Sequence, residues 1–502
     1  MKISEQSQVR LQKTYLTICG LFILSIILCN LKRLSFLCMN ANDFGIQLQA
    51  AMELSTLKSF NPFNTIMQIH IFNDHFDPGM ILLAIPMMIF GPHPELVMIV
   101  EWLAFVSIFL FLFFTLRPTR LWSLDFLIPV TLVVFSRSLL QGLEFPVHPG
   151  TSVMIVLFAT TFAIIKDKNP FLIFALALLA CSFREILSLM FVGMGGVYLL
   201  QGRFKVGLST LLAGLLWLYL FLVLRPQILG EGANYGQTML AGFSGLPLSG
   251  QLALLFKKLI AFQVLEWKPF AGLLFLSFLT LWKDRPSWRL LLKHPLIPIY
   301  TAMLIGTVIH LFAGRLAHHH SIPIVTPLLC YLCYYPFMER SLFSRRWVIV
   351  ATLLLTIGTS IGRYTKFINN IILARGPRCD MSRENAQAVR EFKTFMKGLP
   401  VEATFMATET AASAILLPGR KVYEYAFYRQ HPEFYDYVVW DRNPDADYWP
   451  LSFEEAQRIF NKCKDQGKLI FENRSYAILS GKVSDACLET SRLALFRSLH
   501  MY

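Results

Sequence analysis

Long apolar runs separated by short basic clusters fill the chain as far as about residue 361. The first covers Tyr15 to Leu31, behind Lys2, Arg10 and Lys13. No small-residue cleavage site follows it, so it reads as an uncleaved anchor. A polar stretch from Met39 to Pro78 comes next. The run Gly79 to Phe90 is too short for a hydrocarbon core of ~30 Å. Bounded by D-P-G and G-P-H-P, it predicts a juxtamembrane helix at the outer interface. The remaining runs are Glu95–Leu116, Leu121–Leu140, His148–Ile165, Pro170–Phe183, Ile186–Leu200, Val206–Leu224, Pro269–Leu281, Leu296–Phe312, Ile322–Phe337 and Trp347–Ile361. Basic residues gather at alternate ends of these runs, among them Arg117, Lys166, Arg203, Lys283 and Arg340. By the positive-inside rule this predicts about 11 spans, with the N-terminus inside and the tail outside.

The tail has a different pattern. Ala388, Phe392, Phe395 and Met396 recur near one face of an amphipathic helix, Asn385 to Lys397. Strand-like VEATFMATE, GRKVYEY and YDYVVWD follow, then SFEEAQRIFNKCK and a final strand pair in KLIFENRSYAILSG. Ser452 and Glu455 form a capping box at a helix start. Alternating helices and strands predict a small α/β domain. The expected fold is therefore an α-helical polytopic membrane domain over residues 1–362, with a first external loop at about 38–94, and an extracytoplasmic α/β domain over 363–502.

Composition supports the membrane reading. The 502 residues are 55% hydrophobic and only 16% charged, with 43 Phe and a mean hydropathy of +0.51. A soluble domain carries roughly 25% charged residues. The net charge of +14 would suggest nucleic acid in a soluble protein. Here it resides in clusters between apolar runs, and no basic stripe interleaved with aromatics is present. Cys330 and Cys333 form C-x-x-C inside an apolar run with no second ligand pair, which reads as packing. Cys379, Cys463 and Cys487 lie in the polar tail, where one disulfide can form if the tail faces an oxidising compartment.

Ionisable residues at span ends are the candidates for chemistry, because each is costly in an apolar setting. In NDFGIQLQAAMEL, Asn42 or Asp43 can cap a helix, and Asp43 can equally act as a general base at the membrane boundary. In NDHFDPG, Asp74, His75 and Asp77 can hold a divalent metal, orient a phosphate or polarise a hydroxyl, or can form a solvated turn. A tight metal site needs more ligands than this cluster supplies. His148 begins one span, Arg184 and Glu185 separate two others and can simply pair, and Arg315 with His318, His319 and His320 precedes another. Arginine suits a phosphate, which it grips bidentately. The segment Leu252 to Ile260, with Lys257 and Lys258, has an interfacial amphipathic pattern that anchors or lines the approach of an anionic lipid. No Walker loop, dinucleotide fingerprint, H-E-x-x-H or serine triad order is present.

Several short motifs carry a resemblance. They are the segment with Asp43, Gly45 and Gln49, the pair Asp74–His75 before a short apolar run, His148–Pro149, Glu185 after a polar break, the late histidine cluster, and the α/β tail. Together these resemble a family of bacterial and archaeal multi-pass membrane proteins, itself similar to the GT-C superfamily of membrane glycosyltransferases. The resemblance implies a cavity at the outer membrane face, a polyprenyl-phosphate-linked sugar as donor, and an envelope glycan, lipid or protein as acceptor. It implies Asp43 as base, Asp74 and His75 as groups positioning acceptor or donor phosphate, and Arg184, Arg315 and the histidines His318 to His320 on the departing phosphate. H-P-P is missing after the first loop, where DHFDPG stands instead, which leaves donor and acceptor open. A lipid-linked glycan transporter or flippase and a non-catalytic envelope assembly protein remain the alternatives.

Overall fold

The computed structural model describes residues 5–39, 44–118, 124–144, 147–230, 246–251, 253–254, 256–257, 293–313, 318–338, 346–372, 375–376, 379–425, 432–444, 446, 448 and 451–488. The expected span Pro269–Leu281 and most of the amphipathic segment before it lie outside them. Chain contacts divide the protein into two compact units.

The first unit comprises residues Met1–Ile26, His75–Gly79 and Val100–Thr365. It is helical: α1 (Glu5–Ser35, entering the unit with its first part), α5 (Pro94–Leu116, in the unit from Val100 on), α6 (Leu124–Val134), α7 (Arg137–Glu144), α8 (Pro149–Ser152), α9 (Met154–Ile165), α10 (Pro170–Cys181), α11 (Ile186–Leu200) and α12 (Phe204–Tyr219). A π-turn, Leu220–Leu224, carries α12 into α13 (Arg225–Leu229). After the undescribed stretch come α14 (Leu296–Ala313), a 3-10 turn at His318–Ser321, α15 (Ile322–Met338) and α16 (Arg346–Ile372). Among the described residues three helices are long and apolar enough to cross a bilayer: Gln6–Ser35, Pro94–Leu116 and Phe204–Leu229. Helices α6 and α7 together form a fourth such segment, bent by 52°. Shorter apolar helices make up much of the rest. The single run expected from Leu121 to Leu140 is thus broken at Phe135–Ser136.

The core of this unit is built on α9, α10, α11 and α12, with Phe191, Met194, Tyr198 and Trp217 buried in it. Helices α11 and α12 touch through glycine. A Cβ on Gly214 would lie 2.5 Å from Ser188 O, and one on Gly195 2.6 Å from Leu211 N. Small residues permit this backbone approach, which is how helices gain dispersion contacts where lipid removes the hydrophobic drive between them.

The second unit comprises Ile27–Asp74, Met80–Ile99 and Lys366–Tyr502. Its loop part holds α2 (Ile46–Ser55), the hairpin β1 (Phe63–Asn64) and β2 (Ile69–His70), α3 (Ile71–Asp74) and α4 (Ile81–Phe90). The helix expected over Gly79–Phe90 is α4 with a 3-10 turn, Pro78–Met80, before it. Its tail part holds the short pair β3 (Arg375–Gly376) and β4 (Cys379–Asp380), then α17 (Arg383–Lys397), β5 (Thr404–Ala407), α18 (Glu409–Ala414), β6 (Lys421–Glu424), β7 (Phe434–Asp441), α19 (Phe453–Lys464), β8 (Lys468–Glu472) and β9 (Tyr476–Ser484). The sheet runs β6-β5-β7-β9-β8, with β5 parallel to both neighbours and β9 antiparallel to both of its own. Phe392 of α17 stacks on Tyr476 at 4.1 Å, and Phe460 of α19 packs on Trp440 at 5.0 Å. The capping box of Ser452 and Glu455 is formed. A small C-terminal sheet domain therefore exists, and a disulfide joins Cys463 to Cys487. Cys38 is also disulfide-bonded.

Loop and tail are sewn together within this unit. Gln49 donates from Nε2 to Thr65 Oγ1 at 2.7 Å and accepts at Oε1 from Thr65 N at 3.1 Å. Thr65 Oγ1 in turn donates to Val422 O at 2.7 Å and accepts from Val422 N at 3.0 Å, completing the edge of β6. Glu53 Oε1 accepts from Gly419 N at 2.8 Å.

Candidate functional site

The geometry that concentrates ionisable groups lies in the first unit. His75 Nδ1 sits 2.8 Å from Glu185 Oε1. His75 comes from the five-residue insertion His75–Gly79, and Glu185 from the turn between α10 and α11. Three further contacts hold these segments. Gly79 N donates to Ser182 O at 2.8 Å, Phe76 stacks on Trp217 at 5.4 Å, and Ser188 Oγ donates to Glu185 O at 2.5 Å. Gly79 is required by the fit: a Cβ there would stand 2.8 Å from the Phe183 ring and 2.9 Å from Ser182 O.

The Glu185 carboxylate is asymmetric. One oxygen is engaged by His75, while Oε2 is sealed from solvent with no hydrogen-bond partner among the described residues. Burial alone would raise this carboxyl. The His75 and Arg184 charges outweigh burial and hold it well below the usual carboxylate range. Arg184 and Glu185 are also within electrostatic reach of His310 on α14. The His310 ring lies 5.2 Å from that of His320. The His75–Glu185 contact with Arg184 beside it, and the His310–His320 ring contact within its electrostatic reach, make up the polar seam of this unit.

A second buried group is Glu101, in the middle of α5 and fully excluded from solvent. Its Oε2 accepts from Val147 N at 2.8 Å and its Oε1 from His148 N at 3.1 Å. It anchors the turn entering α8, where His148 is itself buried. Asp77 is 2% exposed, so the D-P-G segment is not a solvated turn.

The sequence candidates divide as follows. His75, Arg184, Glu185 and His320 fall together in the seam. His148 and Asp77 are buried in the same unit. Asp43 and Arg315 lie outside the described residues, as do the side chains of Asp74, His318 and His319. Among the described residues no group of three His, Cys, Asp or Glu is placed to hold a metal ion. Sequence reasoning passed over Glu101 and His310. The signal for Glu101 was a lone acid inside an apolar run, which is expensive unless it has a task.

Residues 33–474 match the family described as "Predicted membrane protein (DUF2079)". The chain belongs to this family. No curated protein matches it. Membership places the chain among membrane proteins, consistent with its long apolar helices.

Proposed function

We propose that this membrane protein is a glycosyltransferase of GT-C type, moving a sugar from a polyprenyl-phosphate donor to an envelope glycan, lipid or protein acceptor. The observation that carries the reading is the Glu185 carboxylate, held by His75 on one oxygen, with the other buried and unbonded among the described residues. Such a group accepts a hydrogen bond from a substrate hydroxyl, and Arg184 beside it offers a planar fork to a phosphate. In the proposed step the acceptor hydroxyl loses its proton to Asp43 as its oxygen bonds the sugar C1. The bond from C1 to the phosphate oxygen breaks, and the polyprenyl phosphate leaves with the electron pair. Arg184, Arg315 and the histidines His318 to His320 stabilise that developing charge, the usual largest catalytic contribution. The layout that goes with this reading is about 11 spans in a bacterial or archaeal cytoplasmic membrane, N-terminus inside and tail outside.

The test is transfer of labelled sugar from a polyprenyl-phosphate donor pool, in membranes carrying wild-type, Asp43→Asn or Glu185→Gln protein. The reading expects product from wild-type, a loss of roughly 100-fold or more in Asp43→Asn, as for removal of an acid–base group, and a loss of roughly ten-fold or more in Glu185→Gln, as for loss of a charge-assisted hydrogen bond. Equal product from wild-type and both variants overturns the roles of Asp43 and Glu185. A lipid-linked glycan transporter is the second reading, favoured by the bent α6–α7 segment, since discontinuous spans mark many transporter sites. It expects lipid translocation that persists in Asp43→Asn.

A further inference from the structure

The break between α6 and α7 leaves two sets of backbone groups to satisfy, and the protein treats them differently. On the α6 side the freed carbonyls are capped from α16. Tyr364 donates its hydroxyl to Val134 O at 2.7 Å, and Ser360 donates to Phe135 O at 2.5 Å. On the α7 side the first-turn amides have no intrahelical acceptor, as at every helix start. Ser136 stands at the N-cap position, where a serine oxygen normally accepts from those amides. Its hydroxyl, in a residue only 2% exposed, makes no hydrogen bond among the described residues.

Two neighbours repeat the pattern. Ser138, in the first turn of α7, is fully buried and its Oγ has no partner among the described residues. The usual refuge of a helical serine is the carbonyl four residues earlier. That carbonyl is Val134 O, which accepts from Tyr364 and not from Ser138. Arg137 lies between the two serines, and its Nε is sealed from solvent without a partner among the described residues. Two hydroxyls and a guanidinium nitrogen are therefore desolvated at the positive end of a half-helix, inside a segment apolar enough to span a bilayer.

We propose that the start of α7 is a binding site for a phosphate-class anion, held by Ser136, Arg137, Ser138 and the first-turn amides. Donors converging on a helix N-terminus suit a phosphate. A half-helix N-terminus within a membrane serves anionic substrate groups in the same way. Leaving buried polar atoms unmade is costly, and a ligand oxygen that satisfies them removes that cost. The proposal does not depend on the glycosyl-transfer reading.

The experiment measures binding rather than turnover, with the full chain, in two arms. One titrates inorganic phosphate into purified protein in detergent, followed by 31P NMR line broadening. The other counts a polyprenyl monophosphate retained from nanodiscs, by native mass spectrometry. Both arms compare wild-type with Arg137→Gln, Arg137→Lys, Ser136→Ala, Ser138→Ala and, as a charge control, Arg203→Gln. Loss of a charge-assisted bond should weaken binding roughly ten-fold or more in Arg137→Gln. Arg137→Lys should fall between, and each serine variant should lose severalfold. Arg203→Gln should bind as wild-type. Binding confined to the nanodisc arm identifies a lipid headgroup as the source. Binding confined to the other arm identifies a free anion. Should Arg137→Gln fail to fold, the two serine variants decide. No binding to wild-type in either arm overturns the proposal. So does wild-type affinity in Arg137→Gln or in both serine variants, or an equal loss in Arg203→Gln.

Discussion

Asp441 gives the sharpest test of the physical account. It ends β7 with its side chain 4% exposed. Its Oδ2 accepts from Thr410 Oγ1 at 2.7 Å and its Oδ1 from Asn443 N at 3.0 Å. A small cavity of about 10 Å³, lined by Asn385, Thr410, Asn443 and Tyr476 among others, adjoins it and has room for roughly one water. Burial pushes the carboxyl up from 3.8 to about 6, against the pull of Thr410 and Asn443. The folded state therefore holds the Asp441 proton more tightly than the unfolded chain. Stability from this group is present below about pH 4 and declines as pH rises through 6. At 1.36 kcal/mol per pH unit, the charged form costs the fold on the order of 3 kcal/mol at pH 7.5.

Asp441→Asn removes the titration while keeping Oδ1 for Asn443 N, and its amide nitrogen can donate to the Thr410 hydroxyl. The variant should lose this pH dependence and be at least as stable as wild-type at pH 7.5. The assay is hydrogen exchange of β7 and β9 amides in the full chain in detergent at pH 4.5 and 7.5, corrected for intrinsic exchange, because a melt of two units does not report one transition. Wild-type protection should fall relative to the variant by one to two orders of magnitude, about what a shift of two pH units allows. Parallel pH profiles for the two proteins, or a wild-type better protected at pH 7.5, would refute the reasoning.

Gly79→Ala forces a Cβ against Ser182 O and the Phe183 ring, so the His75 segment must move; transfer activity should drop about ten-fold or more for a displacement near 1 Å, with the tail disulfide unchanged by mass mapping. Thr65→Val strips Val422 N and O and Gln49 Nε2 of their partner, which should cost about 2–3 kcal/mol, read as lost exchange protection along β6. Cys463→Ser opens a link between residues 24 apart and should destabilise the tail by about 3 kcal/mol, read as accelerated proteolysis between α19 and β9.

Legibility followed the physical source of each signal. Helix α11 occupies the residues its apolar run marked, Ile186–Leu200, because polar breaks bound it on both sides. The strand runs of the tail, the helix with Phe392 and the Ser452 cap were readable from local chemistry. The break after Val134 was passed over although Ser136, Arg137 and Ser138 interrupt the apolar run there, because what holds it is tertiary: Ser360 and Tyr364, far along the chain, bond the freed carbonyls. Helix α16 continues past Arg363 and Lys366 to Ile372, where a hydropathy reading stops at Ile361. In the site, residue types at span ends were visible. The pairing of His75 with Glu185 was not, because it joins positions 110 residues apart.

The D-H-F-D-P-G segment shows how short a motif can be and still determine architecture. Its neighbours on both sides belong to the second unit, yet His75–Gly79 packs in the first. A polar pentapeptide pays for insertion among apolar helices only if its polar groups find partners. His75 finds Glu185, the Gly79 amide finds Ser182 O, and Phe76 supplies apolar contact on Trp217. The glycine, the aromatic and the imidazole together secure the segment. A purely structural pair would be expected to satisfy both carboxylate oxygens, whereas Glu185 keeps Oε2 buried and unengaged among the described residues.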